Sequence, residues 1–555
     1  MKQGFVKVAA ASCAVVVADV RENTRVILET IHKMEGEGAK VMVLPELALT
    51  GYTCSDLFWQ SQMIDAAKEG LKEIADGTKE TDALIFVGLP WEQGGKLFNV
   101  AAVLCHGELL GIVPKKYLPN YNEFYELRHF TPGKEAVTTT EFFGKEVPFG
   151  MNLLFRCAEM PRLKVAAELC EDLWTPNPPS VAHALAGATV IVNLSASDEM
   201  VGKDSYRRSL VSAQSARLIC GYIYATAGEG ESTTDLVFGG QHLIAENGTI
   251  LAEAKRFENQ IVCADLDVDR LTSERRRMTT YPEQRTDGYQ VVKFSLTIEE
   301  TKLIRYFDPR PFVPSDKHNR DQRCDEILNI QAMGLKKRLA HTHCQCAVIG
   351  ISGGLDSTLA LLVTARAFDL LGLPRNQILS VTMPCFGTTD RTYQNACELT
   401  RCLGATLKEV DIKEAVNLHF RDIGQDPEKH DVTYENGQAR ERTQILMDLA
   451  NQSGGMVIGT GDLSELALGW ATYNGDHMSM YAVNASVPKT LVRHLVQYYA
   501  DTCGKKHFPI SFWMYSTRRS ARNCCRRKMV SFLRKQKISS DRTSFMISSY
   551  TICCV

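Results

Sequence analysis

The amino-acid sequence predicts an α/β protein built from two domains. Its 555 residues are too many for one hydrophobic core, so at least two domains are expected. In residues 1–275, short apolar β-type runs alternate with polar turns and helix-like stretches, a pattern typical of layered α/β domains. From about residue 344 a strand, a glycine-rich turn and a helix follow one another, which indicates the start of a doubly wound parallel sheet.

Composition and charge are those of an ordinary globular protein. Hydrophobic residues make up 45% of the chain and the net charge is −2, so nothing global points to nucleic acid or to anionic membranes. The N-terminal apolar run is broken by Lys7, and we interpret it as a strand rather than a signal peptide. The 18 cysteines are scattered, which favours buried thiols in a reduced compartment. We therefore expect a cytoplasmic protein with neither a membrane nor a nucleic-acid partner.

The apolar runs of the first domain define its strands. The clearest of them are residues 41–44, 83–87, 101–104, 163–167, 190–194 and 222–225. Helix-like stretches lie between several of these runs, such as residues 22–37 and 205–219. Residues 1–275 are accordingly assigned to one α/β domain.

A segment rich in charge, proline and arginine follows, and we interpret residues 276–326 as a linker between the domains. Residues 327–502 form the predicted second domain. It contains a strand at 346–351, a helix from Ser357 and another strand at 378–382.

Three residues of the first domain have the chemistry of an amidase. Glu46, Lys115 and Cys170 each follow a β-type run, where side chains converge at the carboxyl edge of a sheet. In amide hydrolysis a thiol attacks the carboxamide carbon and needs a base, which a buried carboxylate beside a lysine can provide. The lysine ammonium can stabilise the tetrahedral oxyanion. Taken singly, each residue has an ordinary explanation as an inert core thiol or a solvated loop charge.

The segments around these three residues resemble, in kind and in chain order, those of the nitrilase (carbon–nitrogen hydrolase) superfamily. The resemblance implies an αββα sandwich in which Glu46 is the general base, Lys115 stabilises the oxyanion and Cys170 is the nucleophile. Lys116 is a neighbouring candidate, but the spacing to the following Tyr-Leu pair favours Lys115.

Residues 117–126 resemble the version of this motif that is found in glutamine-dependent NAD synthetases. The resemblance implies a glutamine pocket lined by Tyr121, Phe124, Ser197 and Lys203. In that pocket the ammonium of Lys203 would pair with the α-carboxylate of glutamine. Glu123 is expected to assist the three catalytic residues.

A glycine-rich loop marks the second domain. Residues 350–357 read Gly-Ile-Ser-Gly-Gly-Leu-Asp-Ser between a strand and a helix. Glycines let the backbone approach a phosphate closely, and amide groups at a helix N-terminus favour the anion. Ser352 and Ser357 can donate hydrogen bonds, and Asp356 can help to hold Mg²⁺. No Gly-Lys-Ser/Thr follows, so this is not a Walker A loop; a strand–helix turn without a ligand is the alternative.

In this context the loop resembles the pyrophosphate loop of N-type ATP pyrophosphatases, which cleave ATP to AMP and pyrophosphate. Residues 435–442, 459–465 and 469–476 select NAD synthetases among the GMP, asparagine, argininosuccinate and NAD synthetases that share the loop. The resemblance implies ATP contacts from Gly350, Ser352, Gly353, Gly354, Asp356, Ser357, Met383 and Thr460. It implies Mg²⁺ ligands at Asp356 and Glu465, and deamido-NAD contacts at Asn436, Arg440, Asp476 and Lys489, the last placed to meet phosphate.

The resemblance implies one combined activity. Glutamine would be hydrolysed to glutamate and ammonia in the first domain. The second domain would use ATP and Mg²⁺ to adenylate the nicotinate carboxylate of deamido-NAD, and ammonia would displace AMP to give NAD. Ammonia must stay neutral to be a nucleophile, so a protected passage is expected. The family also implies a homo-oligomer.

Residues 503–555 differ from the rest of the chain. They carry 12 Lys and Arg against one acidic residue, Asp541, and five of the 18 cysteines. The family resemblance stops near Thr502, and back-translation in an offset reading frame gives segments similar to the family's continuation. We interpret this tail as aberrant and out of frame, which leaves the synthetase domain incomplete.

Two other functions stay open from sequence. The first is a stand-alone amidase whose C-terminal half only binds nucleotide or regulates, which would release ammonia without consuming ATP. The second is a nucleic-acid-interacting protein with a basic tail. Salt-dependent affinity confined to versions of the chain that contain residues 503–555 would indicate it.

Overall fold

The computed structural model describes residues 1–502 apart from residues 310, 314–315 and 387–389. The predicted aberrant tail, residues 503–555, lies outside the described residues. The chain divides into two compact units, of which the first is Met1–Tyr306 and the second begins at Phe307. Among the described residues, none of the helices is both long enough and apolar enough to cross a membrane.

The first unit consists mainly of strands. Its strands are β1 (Phe5–Ala11), β2 (Val41–Val43), β3 (Leu84–Gln93), β4 (Lys96–Cys105), β5 (Glu108–Pro114), β6 (Thr138–Phe142), β7 (Lys145–Phe149), β8 (Leu153–Cys157), β9 (Lys164–Leu169), β10 (Val190–Ser195), β11 (Gly221–Thr226), β12 (Leu243–Glu246), β13 (Thr249–Glu253), β14 (Ile261–Asp267) and β15 (Gln290–Phe294). Its helices are α1 (Val20–Gly36), α2 (Ser61–Gly77), α3 (Glu126–His129), α4 (Pro179–Leu185), α5 (Lys203–Leu218) and α6 (Val268–Arg277). Short 3₁₀ helices cover Ser55–Trp59 and Cys170–Leu173.

These strands form two sheets that pack face to face. The first sheet has the order β14-β1-β2-β3-β4-β5-β7-β6, and the second has the order β13-β12-β11-β10-β9-β8-β15. One apolar core joins them, with Val8 and Phe86 from the first sheet and Val165 and Ile223 from the second. The central strands are buried on both faces, which is why they read in sequence as continuous apolar runs.

Helices cover the outer face of each sheet. Ile27 of α1 and Ile74 of α2 pack against the first sheet, and Val211 of α5 packs against the second. Helix α1 begins where the carboxylate of Asp19 accepts a hydrogen bond from the backbone N–H of Glu22. The unit is therefore an αββα sandwich, and the predicted α/β fold class is confirmed.

The segment predicted as a linker is structured at both ends. Its strand β15 pairs in parallel with β8 at the edge of the second sheet. Beyond it, Arg305 Nη1 and Nη2 donate to the carboxylate of Glu246 at 2.8 and 2.7 Å, and Asp265 Oδ2 accepts the backbone N–H of Ile304 at 2.6 Å. The first helix of the second unit begins at Lys317. The prediction of a linker over residues 276–326 was therefore too long, because sheet pairing and a buried ion pair hold its first part on the first unit.

The second unit is smaller and its strands are parallel. Its described strands are β16 (Ala347–Gly350), β17 (Ile378–Thr382), β18 (Thr406–Glu409), β19 (Met456–Gly459) and β20 (Tyr481–Ala482), in the sheet order β18-β17-β16-β19-β20. Its described helices are α7 (Lys317–Thr342), α8 (Leu355–Leu371), α9 (Asp390–Leu403), α10 (Lys413–Ile423), α11 (Val432–Gln452), α12 (Leu463–Leu468) and α13 (Lys489–Thr502), with a 3₁₀ helix at Arg375–Gln377.

Each face of this sheet has its own helices. Ile349 of β16 faces a core that contains residues of α7, α8, α9 and α13. The neighbouring Val348 faces the opposite core with Phe420 of α10 and Leu449 of α11. Successive side chains of a strand point to opposite faces, so the sheet is covered on both sides in a doubly wound arrangement.

A buried arginine stabilises the first unit. The guanidinium of Arg275 donates to the backbone carbonyls of Ala188, Leu218 and Ile219 at 2.7, 2.9 and 3.0 Å. We predict that Arg275→Ala lowers the free energy of unfolding by about 3 kcal/mol, because buried carbonyl groups would lose their donors. Urea denaturation measures this change. The exposed Arg276→Ala is the control and should stay within about 0.5 kcal/mol of the parent; equal losses for both variants would contradict the assignment.

Candidate active sites

The centre of the first site is a buried lysine. Lys115 Nζ lies 2.7 Å from Glu46 Oε1 and 2.7 Å from Glu126 Oε1, and all three side chains are withdrawn from solvent. Tyr52 Oη donates to the same Glu126 oxygen at 2.8 Å, and Asn99 Nδ2 donates to Glu46 Oε1 at 2.6 Å. Two carboxylates therefore balance the lysine charge, and neutral donors hold both of them.

The strands bring the three predicted catalytic residues together from two sheets. Glu46 follows β2 and Lys115 follows β5 in the first sheet, where these two strands run in the same direction. Cys170 follows β9 of the second sheet. Its φ of +40° is unusual for a non-glycine residue, and its backbone N–H donates to Asn193 Oδ1 at 3.1 Å. The nucleophile candidate thus lies on a sharp turn that a buried side chain holds.

Burial and charge decide the proton affinities in this site. Burial raises the pKa of the Cys170 thiol and Glu46 raises it further, while Lys115 opposes the rise. Burial raises the pKa of Glu126 to about 7 against the opposing effect of Lys115. Burial alone would lower the pKa of Lys115, but Glu126 and Glu46 hold it well above its usual value. The resting site therefore holds a neutral thiol beside a lysinium and buried carboxyl groups.

One member of this cluster was missed from the sequence. We expected Glu123 to assist the catalytic residues, but Glu126, the first residue of α3, contacts Lys115 instead. The only sequence signal for Glu126 is its place at the start of a short helix. The alternative lysine, Lys116, pairs with the exposed Glu135 at 2.9 Å.

Three of the predicted glutamine-binding residues, Tyr121, Phe124 and Lys203, lie next to one another. Tyr121 Oη donates to Glu171 Oε1 at 2.8 Å, and its ring lies 6.0 Å from that of Phe124. Lys203 Nζ lies 5.7 Å from the ring centre of Phe124 and 5.4 Å from that of Trp174. Aromatic side chains and a cation therefore meet here.

Two of the predicted glutamine-binding residues have protein partners that the sequence did not predict. The ammonium of Lys203 pairs with the buried carboxylate of Asp198, so its charge is already partly balanced. Ser197 Oγ accepts from Nη2 of the fully buried Arg207 at 3.3 Å. Arg207 also donates to Glu199 Oε1 at 2.8 Å, and it thereby fixes the segment that carries Ser197.

The glycine-rich loop of the second unit connects a strand to a helix. Strand β16 ends at Gly350 and α8 begins at Leu355. Gly353 has a φ of +74°, a conformation that glycine adopts without strain. Gly354 N–H donates to Ser352 Oγ at 3.2 Å, and this oxygen lies 3.2 Å from Ser357 Oγ. The loop therefore presents backbone amides and hydroxyls at a helix N-terminus, which favours an anion.

Three carboxylates meet beside this loop. Oxygen atoms of Asp356, Asp462 and Glu465 lie within 4.8 Å of one another. The sequence did not predict Asp462, which is fully buried and caps α12 by accepting the backbone N–H of Glu465 at 2.9 Å. Its position as a helix cap between two apolar segments was the available signal.

Lys489 occupies the middle of this cluster. Its Nζ lies 2.6 Å from Asp356 Oδ2, 3.0 Å from Asp462 Oδ2 and 3.1 Å from Glu465 Oε1. Burial opposes the charged form of Lys489, but Asp356 and its neighbours raise the pKa above its usual value. The residue predicted to meet a phosphate thus pairs with three carboxylates in this structure. Its positive charge offsets the repulsion between these closely spaced negative groups.

Three of the four predicted deamido-NAD contacts converge on the segment after α12, and the fourth, Lys489, lies in the acidic cluster. Asn436 Oδ1 accepts from Thr472 Oγ1 at 2.8 Å, and Asp476 Oδ1 accepts the backbone N–H of Thr472 at 2.7 Å. Arg440 Nε donates to the carbonyl of Tyr473 at 3.2 Å. These three side chains from two distant segments therefore lie in one region of the second unit.

The remaining predicted ATP contacts follow strand ends of the same sheet. Met383 is buried directly after β17. Thr460 directly follows β19, and its backbone carbonyl accepts from Asn484 Nδ2 at 3.2 Å. Both residues therefore lie at the carboxyl edge, where doubly wound sheets bind ligands.

Fold and sites together define a carbon–nitrogen hydrolase unit joined to a nucleotide-dependent synthase unit. Residues 7–276 match the family model of carbon-nitrogen hydrolases, and residues 327–508 match that of NAD synthases.

Sequence relatives give the particular family. A glutamine-dependent NAD(+) synthetase from Mycobacterium tuberculosis is 43% identical over 512 residues, which cover 90% of this chain and 75% of the relative. Another from Aquifex aeolicus is 30% identical, with 87% and 79% covered. A solved glutamine-dependent NAD(+) synthetase from Cytophaga hutchinsonii aligns with a TM-score of 0.43 and 23% identity over 90% of this chain and 82% of that one. On the sequence relatives, this chain belongs to the family of glutamine-dependent NAD(+) synthetases.

A close backbone approach fixes the position of Glu46. A Cβ atom added to Gly88 of β3 would lie 2.4 Å from both Leu47 N and Pro45 O. We predict that Gly88→Ala displaces Glu46 and lowers the rate of glutamine hydrolysis about 100-fold, since misplacement by about 1 Å has such effects. Gly36→Ala is the control, because nothing lies within 4 Å of the added atom. Glutamate release measures both variants, and an unchanged rate in Gly88→Ala would contradict the prediction.

Proposed function

We propose that this enzyme hydrolyses glutamine in its first unit and uses the ammonia to convert deamido-NAD to NAD in its second unit. The observation that carries the proposal is the buried contact of Lys115 with Glu46 and Glu126 beside a neutral Cys170. This arrangement suits covalent attack on an amide far better than it suits a structural role, because a buried lysinium adds little stability. The sequence relatives from Mycobacterium tuberculosis and Aquifex aeolicus are named glutamine-dependent NAD(+) synthetases, which supports the proposal.

The first half-reaction uses the three predicted catalytic residues. Glu46 takes the proton of the Cys170 thiol as the sulfur attacks the carboxamide carbon of glutamine. Lys115 stabilises the negative oxygen of the tetrahedral intermediate. The C–N bond then breaks, Glu46 returns the proton to the leaving nitrogen, and ammonia departs from a thioester. Water, deprotonated by Glu46, hydrolyses the thioester to glutamate and restores the thiol.

Glutamine recognition is assigned to four residues of the first unit. We assign Tyr121 and Phe124 to the walls of the pocket and Ser197 to a hydrogen bond with the substrate. Lys203 meets the α-carboxylate while it keeps its contact with Asp198. Because Asp198 already balances part of that charge, a second anion adds less binding energy than it would at an unpaired lysine.

The second half-reaction needs a site for a nucleoside triphosphate. We assign the phosphates of ATP to the loop Gly350, Ser352, Gly353, Gly354 and Ser357, whose amides and hydroxyls face the N-terminus of α8. Met383 lies near the adenine and Thr460 contacts the nucleotide. Adenylation of the nicotinate carboxylate releases pyrophosphate, and ammonia then displaces AMP.

The acidic cluster fits a magnesium ion. Asp356, Asp462 and Glu465 offer oxygen ligands within 4.8 Å of one another, which a hard divalent cation prefers. Asp356 Oδ1 is also buried without a hydrogen-bond partner among the described residues. When bound, Mg²⁺ would neutralise charge on the phosphates. Asp356 and Glu465 are the predicted ligands, and Lys489 is free to turn from them toward a phosphate.

Substrate recognition in the second unit falls to the residues around Thr472. We assign Asn436, Arg440 and Asp476 to deamido-NAD because their polar groups already converge on one segment. A homo-oligomer and a cytoplasmic location remain predictions of the sequence.

A paired assay tests the proposal. It follows glutamate release from glutamine, and NAD formation from deamido-NAD and Mg-ATP with glutamine or ammonium as the nitrogen source. We predict that Cys170→Ala abolishes both glutamine-dependent activities and leaves ammonium-dependent NAD formation unchanged, because the thiol acts only on glutamine. The control is Cys220→Ala, which removes another buried thiol. Glutamate release without NAD formation would instead indicate either a synthetase domain left incomplete by residues 503–555 or the stand-alone amidase.

The cation in the acidic cluster gives a second test. We predict that Lys489→Met tightens Mn²⁺ binding without nucleotide about tenfold, because three carboxylates lose their internal counter-ion. Electron paramagnetic resonance of free Mn²⁺ measures the affinity. Lys413→Met removes an exposed lysine of the same unit and should change nothing; equal or weaker Mn²⁺ binding by Lys489→Met would refute the competition.

A further inference from the structure

A buried aspartate links the two sheets beside the first site. Asp172 is 1% exposed and belongs to the 3₁₀ helix that begins at Cys170. Its Oδ2 accepts the backbone N–H of Leu169 at 3.0 Å. Its Oδ1 accepts the backbone N–H of Tyr117 at 2.8 Å. One carboxylate thus binds the turn that carries Cys170 and the segment that carries Lys115.

These two segments come from different sheets. Lys115 follows β5 of the first sheet, and Cys170 follows β9 of the second. Apolar packing between sheets is not directional, so it does not by itself fix how their ends align. Hydrogen bonds from one carboxylate to both ends are directional and do fix it. Lys116 N–H also donates to Asp172 Oδ2 at 3.5 Å, so two consecutive residues of the first segment contact this carboxylate.

We propose that Asp172 is a positioning residue that holds Lys115 in register with Cys170 across the two sheets. The inference rests on the proposed glutamine hydrolysis, and it goes further by assigning a role to a side chain outside the three predicted catalytic residues. Asp172 acts through the backbone at both ends. Its two short contacts use different oxygens, Oδ1 for the segment after β5 and Oδ2 for the turn after β9.

The use of both oxygens as acceptors makes asparagine a sharp probe. An asparagine has nearly the same shape, but one of its two oxygens becomes an NH₂ group. Whichever way the amide turns, one backbone N–H then faces another donor. Either the Tyr117 link or the Leu169 link breaks, and the two catalytic segments lose their common anchor.

The pKa of Asp172 shows how much its carboxylate depends on the backbone donors. Burial raises the pKa of Asp172 to about 7, the backbone N–H groups of Leu169 and Tyr117 oppose the rise, and the carboxylate of Glu168 adds to it. Burial disfavours the ionised form of Asp172, so the carboxylate is retained only with hydrogen bonds from its backbone donors. Lys115, Glu168 and the two backbone donors are the groups that face it.

The chain offers a matched control in Asp265. This aspartate is also 1% exposed, and its Oδ2 accepts two backbone N–H groups, those of Ile304 and Arg305, at 2.6 and 3.0 Å. It lies on β14, in a part of the first unit that the catalytic residues do not use. Because both contacts use one oxygen, Asp265→Asn removes a buried acidic group but can keep both hydrogen bonds, with no link to Lys115 or Cys170.

Two measurements on the full chain test whether Asp172 clamps the two segments together. The first is the kcat for glutamate release, which should fall about 100-fold in Asp172→Asn and stay within about threefold in Asp265→Asn. The second is the rate of Cys170 alkylation by iodoacetamide, followed by peptide mapping at several pH values. It should fall about tenfold in Asp172→Asn, because a displaced Lys115 no longer favours the thiolate.

The alkylation rate separates positioning from simple loosening. A variant that merely unfolds locally would expose the buried thiol and react faster, which would overturn the proposal. Unchanged kcat in Asp172→Asn would also overturn it. If Asp172→Asn does not fold, Asp172→Glu keeps both acceptors on a longer arm and should show the same slowing to a smaller degree. If the parent chain releases no glutamate, the proposed function fails, while the alkylation rates still decide the clamp.

Discussion

The buried charge of Lys115 is the strictest condition that the first unit must meet. An ammonium removed from water is tolerated only when carboxylates and hydrogen bonds compensate it closely, and losing one partner leaves an uncompensated charge. Glu46 and Glu126 provide that compensation at 2.7 Å each. The close approach of β3 at Gly88 and the contact of Tyr52 with Glu126 keep the carboxylates in place. Sheet geometry, the placement of Gly88 and side-chain burial thus all serve to compensate the buried charge of Lys115.

The second unit also contains a lysine among carboxylates, but there one lysine compensates an excess of negative charge. Its acidic cluster is only partly buried, and Lys489, with a side chain 38% exposed, balances three carboxylates at once. A flexible, partly exposed lysine can change its partners when a stronger anion binds. Lys115 is fully buried and cannot move away from its carboxylates in this way. The first site is therefore formed before glutamine binds. In the proposed reaction the second site becomes complete only with its nucleotide and a metal ion, which is consistent with a reaction that joins several substrates.

The sequence predicted the features that short segments determine. Glu46 lies two residues after the apolar run 41–44 and Cys170 directly follows strand β9, so strand ends locate them. Glu126 was missed in favour of Glu123 because residues 115–125 form no regular element from which a periodicity could be read. Strand β15 was mistaken for linker because it is a largely exposed edge strand with a weak apolar pattern.

Partners that are distant in sequence were the other source of error. The contact of Lys489 with Asp356 spans 133 residues, and no local pattern reports such a pair. The pair of Lys203 with Asp198 spans only five residues, but Asp198 lies before α5 begins, so no helical spacing reports it. The chemistry proposed for the first site also depends on groups that come from separate segments of the chain. Burial and Glu46 favour the neutral thiol. In the proposed mechanism Cys170 therefore becomes a thiolate only as it attacks, when the proton moves to Glu46 and Lys115 meets the new oxyanion. A site that activates its nucleophile in this way depends on distances set by three separate segments, and those distances are a property of the fold rather than of any one motif.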